Sequence, residues 1–113
     1  MTHLADQFCV PCRGGRPPLT TAEMEPLLAQ LDGWQVVDTH HLEKTYRLRN
    51  FAAGLALVDR IGAIAEEQQH HPDLFLSWGQ VRVTIWTHTI DGLTESDFVF
   101  AAKCDRAFAA LPA

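Results

Sequence analysis

The chain has 113 residues, enough for one compact core and too few for two domains. Apolar residues make up 47% and charged residues 20%, ordinary proportions for a globular protein. The net charge of −5, with lysine and arginine scattered, excludes the basic face that nucleic-acid binding needs.

No apolar run approaches the ~20 residues of a membrane span. The opening MTHLADQFC lacks the charged start and apolar stretch of a secretory signal. Three cysteines, an odd number, suit a reducing compartment better than a disulfide framework. A cytoplasmic protein with no membrane and no nucleic-acid partner is expected.

Residues 1–18 hold two of the seven glycines and three of the six prolines, and read as an irregular leader before a single domain at 19–113. Thr20 and Glu23 have capping-box spacing, which predicts a short helix over Thr21 to Leu31 with Leu27, Leu28 and Leu31 buried. Trp34, Val36, Leu42, Tyr46 and Leu48 alternate with polar residues, as two strands joined by a turn near Asp38–His41 would. Asn50 is a good N-cap for a longer helix over Phe51 to Gln69, with Leu57, Val58, Ile61, Ile64 and Ala65 inward.

Pro72 forbids a simple continuation of that helix and biases His71 away from the α region. LFLSWGQVRVTIWTHT predicts a second hairpin turning near Trp78-Gly79-Gln80. Val81, Val83, Ile85 and Thr87 fall on one face of its second strand, and Arg82, Thr84, Trp86 and His88 on the other. Thr94 caps a last helix over Glu95 to Leu111, burying Phe100, Cys104, Ala107, Phe108 and Leu111. The order α-β-β-α-β-β-α predicts an α+β fold, a four-stranded antiparallel sheet with three helices on one face. The other face is left for water or another subunit, and Trp86 on it suggests a subunit contact.

Cys9-Val10-Pro11-Cys12 is a CxxC without a second pair. Two unliganded thiols, a metal shared with His3 or another subunit, and redox chemistry are the readings open to it. The histidine doublets carry more. His70-His71 precedes Pro72, where helix gives way to strand. Adjacent side chains on extended backbone point apart, which disfavours a joint grip on one metal and suits the two walls of a cleft. The second hairpin folds His88 back toward the same sheet edge. Three imidazoles there can move protons near neutral pH, or hold a metal with water as fourth ligand. His40-His41, at the turn or the start of the second strand and without the proline or a third partner, is expected to be a pair of solvated turn histidines whose substitution is silent.

Glu66-x-x-x-His70-His71-Pro72, the W-x-x-V-x-V-x-I-x-T-H run from Trp78 to His88, and G-L-T-E-x-D from Gly92 to Asp97 together resemble the pterin-4a-carbinolamine dehydratase family. The resemblance includes Leu31–Trp34 and covers roughly residues 20 to 111. It implies the fold above, a homodimer or homotetramer, and loss of water from a 4a-hydroxytetrahydropterin to give quinonoid dihydropterin for tetrahydrobiopterin recycling, with neither metal nor organic cofactor. It places His70, His71 and His88 at the pterin. His70 and His88 are the expected proton carriers, and His71 positions the ring. Glu66 is expected to orient an imidazole, and Pro72, Thr87, Thr89 and Asp97 to line the substrate site. Helix N-terminal charge stabilisation is an equal account of Asp97. Leu74 stands where many members have an aromatic residue, with Phe75 beside it, so the pocket wall differs. A non-catalytic binding or dimerisation module, an assembly chaperone, and a zinc protein using Cys9, Cys12 and a histidine are the alternatives.

Overall fold

The computed structural model describes residues 4–9 and 17–112. His3 and Cys12, and with them the paired-cysteine readings, lie outside the described residues. The elements are α1 (Thr21–Leu28), β1 (Gln35–Val37), β2 (His41–Arg47), α2 (Phe51–Gln68), β3 (Asp73–Ser77), β4 (Gln80–Ile85) and α3 (Glu95–Ala109). The strands form one antiparallel sheet in the order β1-β2-β4-β3, with the two hairpins joined through β2 and β4. The α+β expectation of three helices and four antiparallel strands therefore holds.

The period-2 pattern of β4 decides which face is covered. Val81, Val83 and Ile85 are fully buried, together with Leu42 and Tyr46 from β2. Leu57, Ile61 and Ala65 of α2 and Phe100, Ala101 and Cys104 of α3 close over them. Each large side chain buried in this way contributes about 1.5–3 kcal/mol. Gly54 marks a close helix–sheet approach, since a Cβ there would stand 2.9 Å from Leu76 Cδ1. Gly79 closes the β3–β4 hairpin at φ 76°, a left-handed conformation that favours glycine.

Helix α1 begins with the expected capping box. Thr20 N donates to Glu23 Oε1 at 2.9 Å, and Glu23 N donates to Thr20 Oγ1 at 3.2 Å. It ends three residues earlier than predicted. Pro26 inside it lacks an N–H, and the chain goes on in i→i−3 turns, with Gln30 N to Leu27 O and Leu31 N to Leu28 O. Its buried anchor is Met24; Leu27, Leu28 and Leu31 are half-buried around it.

The described part of the leader joins the core. Leu4–Asp6 form a 3-10 turn, and Leu4 and Cys9 are buried. Lys103 of α3 donates to Ala5 O at 2.8 Å, Cys9 N donates to Gln68 Oε1 at 2.8 Å, and Cys9 Sγ donates to Ser96 O at 3.5 Å. On the opposite side, Asp105 of α3 ties the helix to the sheet. It accepts from Tyr46 OH (2.5 Å), Lys44 Nζ (2.8 Å) and Trp34 Nε1 (3.1 Å). Burial pushes the Tyr46 phenol well above its usual pKa and does the same to the Cys104 thiol.

Candidate active site

The end of α2 sets up the first histidines. Gln69 turns left-handed at φ 53°, and its N–H and that of His70 both reach Ala65 O. This turn stops the helix three residues before Pro72, so the backbone bend precedes the proline. It also breaks helical spacing: Glu66 meets His71, five residues on, rather than His70, one turn on. His71 Nε2 lies 2.6 Å from Glu66 Oε2, and both side chains are exposed.

His70 has a buried partner instead. Its Nε2 lies 2.6 Å from Asp97 Oδ1, and Asp97 is fully buried in the first turn of α3. Because a carboxylate accepts only, His70 carries a proton on Nε2, and Nδ1 is the nitrogen left to exchange one. The ring also packs edge-on against Phe100, with centroids 5.9 Å apart. Asp97 Oδ2 accepts from Thr87 Oγ1 at 2.9 Å and from Thr94 N at 2.8 Å, and the Thr87 and Thr94 hydroxyls are 3.0 Å apart. Asp97 thus serves two contacts at once: Oδ2 caps α3, as the helix-stabilising account expected, and Oδ1 holds an imidazole.

Thr87 links this network to the third histidine. Just past β4, Thr87 N donates to Gly92 O at 2.9 Å, closing a turn that carries His88 and Thr89 at its exposed edge. The His88 ring lies 4.4 Å from the ring of Trp86. Of the site residues expected from sequence, His70, Asp97 and Thr87 share one hydrogen-bond network, with His88 next along the chain. His71 and Glu66 form a second pair beside His70, and Pro72 is half-buried at the start of β3. Among the described residues, no three side chains of metal-ligating type are gathered to hold an ion.

The expectation for His40-His41 needs correcting. Both are half-buried, with ring centroids 5.3 and 6.0 Å from Trp86. The cause is the β2–β4 register. Leu42 pairs with Ile85, so His41, one residue earlier, stands beside Trp86, one residue later. Trp86 is accordingly packed by imidazoles of its own chain. The sequence carries this signal only once the two central strands are known to pair. A separate apolar cavity of about 540 Å³ lies between the start of α2 and the end of α3, lined by residues such as Asn50, Ala53, Phe108 and Leu111.

A helix-covered antiparallel sheet with a part-buried histidine–carboxylate couple where α2 gives way to β3 defines the chain as an α+β protein in which a buried carboxylate holds an imidazole. The family model described as pterin 4 alpha carbinolamine dehydratase matches residues 17–107. The chain belongs to this family, whose reaction is that of a hydro-lyase. A family relative from Rubrobacter xylanophilus is 58% identical over 94% of this chain and 99% of its own length. One from Alkaliphilus metalliredigens is 49% identical over 94% of this chain and 96% of its own. A solved structure described as a transcriptional coactivator/pterin dehydratase from Brucella melitensis superposes with a TM-score of 0.76 at 33% identity, over 80% of this chain and 97% of that one. A pterin dehydratase-like RuBisCO assembly factor of the alpha-carboxysome, 23% identical with a TM-score of 0.61, shares the fold. No helix among the described residues is long and apolar enough to cross a membrane.

Proposed function

We propose that the chain dehydrates a 4a-hydroxytetrahydropterin by histidine acid/base catalysis, with His70 as base and His88 as acid. The observation that carries the reading is the 2.6 Å contact of part-buried His70 Nε2 with fully buried Asp97. A carboxylate held there keeps the proton on Nε2 and the Nδ1 lone pair ready to accept, the tautomer a base requires. In the reaction His70 Nδ1 takes the N5 proton. The N5 electron pair closes a double bond to C4a, the C4a–O bond breaks, and protonated His88 gives its proton to the departing hydroxyl. Water and quinonoid dihydropterin leave, and a proton returns from His70 to His88 through solvent before the next turn.

His71, held by Glu66 on the exposed side, orients the pterin, with Pro72, Thr87 and Thr89 as further walls of the site. The step uses no metal and no organic cofactor. The product re-enters tetrahydrobiopterin recycling in the cytoplasm, and the working form is a homodimer or homotetramer. We take residues 19–113 as the dehydratase domain behind a leader of residues 1–18, a division supported by the family match beginning at residue 17.

The test follows water loss from a 4a-hydroxytetrahydropterin. Wild type accelerates it, and His70→Ala and His88→Ala each lose on the order of 10²-fold. Full activity in either variant would refute the role of that histidine.

A further inference from the structure

His88 sits on an exposed turn, and its ring's partner among the described residues is Trp86. The ring centroids are 4.4 Å apart and the planes tilted by 41°, a close contact rather than an edge-on one. On its other flanks the indole meets the His40 and His41 rings, which stand edge to face at 5.4 Å with their Nδ1 atoms 3.2 Å apart. His40 Nε2 continues to Asp91 Oδ1 at 2.8 Å. Asp91 belongs to the same turn as His88: its N–H donates to His88 O at 3.2 Å, and its φ is 55°. The β1–β2 turn thus reaches across the sheet and touches the His88 turn twice, once through the indole and once through Asp91.

We infer that Trp86 is the positioning residue for His88, and that His40 is a secondary support which braces the indole and latches Asp91. The inference rests on the proposed acid role of His88. A general acid must hold its proton within about 3 Å of the leaving oxygen, and a misplacement of about 1 Å can cost on the order of 10²-fold. An imidazole on an exposed turn meets that demand only if something fixes its χ angles, and the indole is the group in contact. The His40–Asp91 pair is the lesser part. Asp91 is 88% exposed, so solvent screens the pair and leaves it a small share of the effect. The doublet expected to be silent is in this account coupled to catalysis.

Four variants are compared with wild type and with His88→Ala in the dehydration assay: Trp86→Leu, Trp86→Phe, His40→Ala, and Trp86→Leu combined with His88→Ala. Trp86→Leu lowers kcat about 10- to 100-fold with KM within about 3-fold. Trp86→Phe, which keeps an aromatic face, recovers most of the loss, and His40→Ala costs about 3-fold. In the His88→Ala background Trp86→Leu has no further effect, because there is no acid left to position. A rise in KM with unchanged kcat, or an undiminished Trp86→Leu effect without His88, would overturn the inference, since the indole would then act on the substrate or on the fold. NMR gives a readout that needs no activity. The ring current of Trp86 shifts the His88 ring protons, and the shift vanishes in Trp86→Leu. An inactive wild type that retains the shift defeats the proposed function alone; an absent shift in wild type defeats this inference alone.

Discussion

Replacing Asp97 by Asn changes one oxygen to an amide in a fully buried position and almost nothing in volume. The wild-type carboxylate accepts three bonds: His70 Nε2 on Oδ1, and Thr87 Oγ1 and Thr94 N on Oδ2. An Asn carbonyl placed at Oδ2 keeps the last two, so the cap on α3 survives. The amide nitrogen then faces His70 Nε2, and two donors meet. The contact is restored only if His70 moves its proton to Nδ1, which removes the lone pair that accepts from N5. One charge-assisted bond is lost, a cost of about 1.5–3 kcal/mol in stability, partly offset by relief of a buried charge. The catalytic cost is larger. Holding a catalytic imidazole in the wrong tautomer reaches about 10⁴-fold in a comparable histidine–aspartate couple, and loss of a general base is about 10²–10⁴-fold. Asp97→Asn should therefore stay folded by circular dichroism, unfold at moderately lower urea, and lose 10²- to 10⁴-fold in kcat, within the same ranges. A folded Asp97→Asn enzyme within about 3-fold of wild-type kcat would show that the His70 tautomer does not matter.

Further outcomes follow from the same geometry. Glu66→Ala removes a partner from His71 in an exposed pair, so it should change KM by a few-fold and leave stability within about 1 kcal/mol, checked by steady-state kinetics and urea unfolding. Asp105→Ala strands the donors of Trp34, Lys44 and Tyr46, and should lower unfolding free energy by about 2–4 kcal/mol while activity per folded molecule persists. Tyr46 and Cys104 have raised folded pKa values, chiefly through burial, while the unfolded thiol and phenol titrate near about 8.5 and about 10. The unfolded chain releases those protons first, so their contribution is whole below about pH 8.5 and declines as pH rises above it, measurable as a falling urea midpoint. Cys104 should likewise resist alkylation in native buffer and react once the chain is unfolded, as peptide-level mass spectrometry would show.

The sequence carried the fold where a pattern was local. The period-2 run from Val81, the caps at Thr20 and Asn50, and the Trp78-Gly79 turn each rest on neighbours within a few residues, and each element begins close to where expected, although α1 stops at Leu28 and β4 at Ile85. Contacts between distant segments were not legible. Asp105 meets Trp34, Lys44 and Tyr46 across 59 to 71 residues of chain, and Cys9 meets Gln68 and Ser96 across 59 and 87. The site divides the same way. Its residue types and motif spacing were visible, but the pairing was not. A single left-handed Gln69 sends Glu66 to His71 and leaves His70 to Asp97, and no helical spacing rule reports that. His40-His41 was misjudged for a like reason: a solvated turn and a packed aromatic cluster have the same local sequence, and only the β2–β4 register separates them.

The central claim is that His70 and His88 together carry the protons of a dehydration. The most direct test is the single-turnover rate of water loss from a 4a-hydroxytetrahydropterin, for wild type and for the His70→Ala/His88→Ala double variant, both verified as folded. Wild type should exceed the uncatalysed rate, and the double variant should fall at least about 10²-fold below wild type. A double variant as fast as wild type would contradict the account.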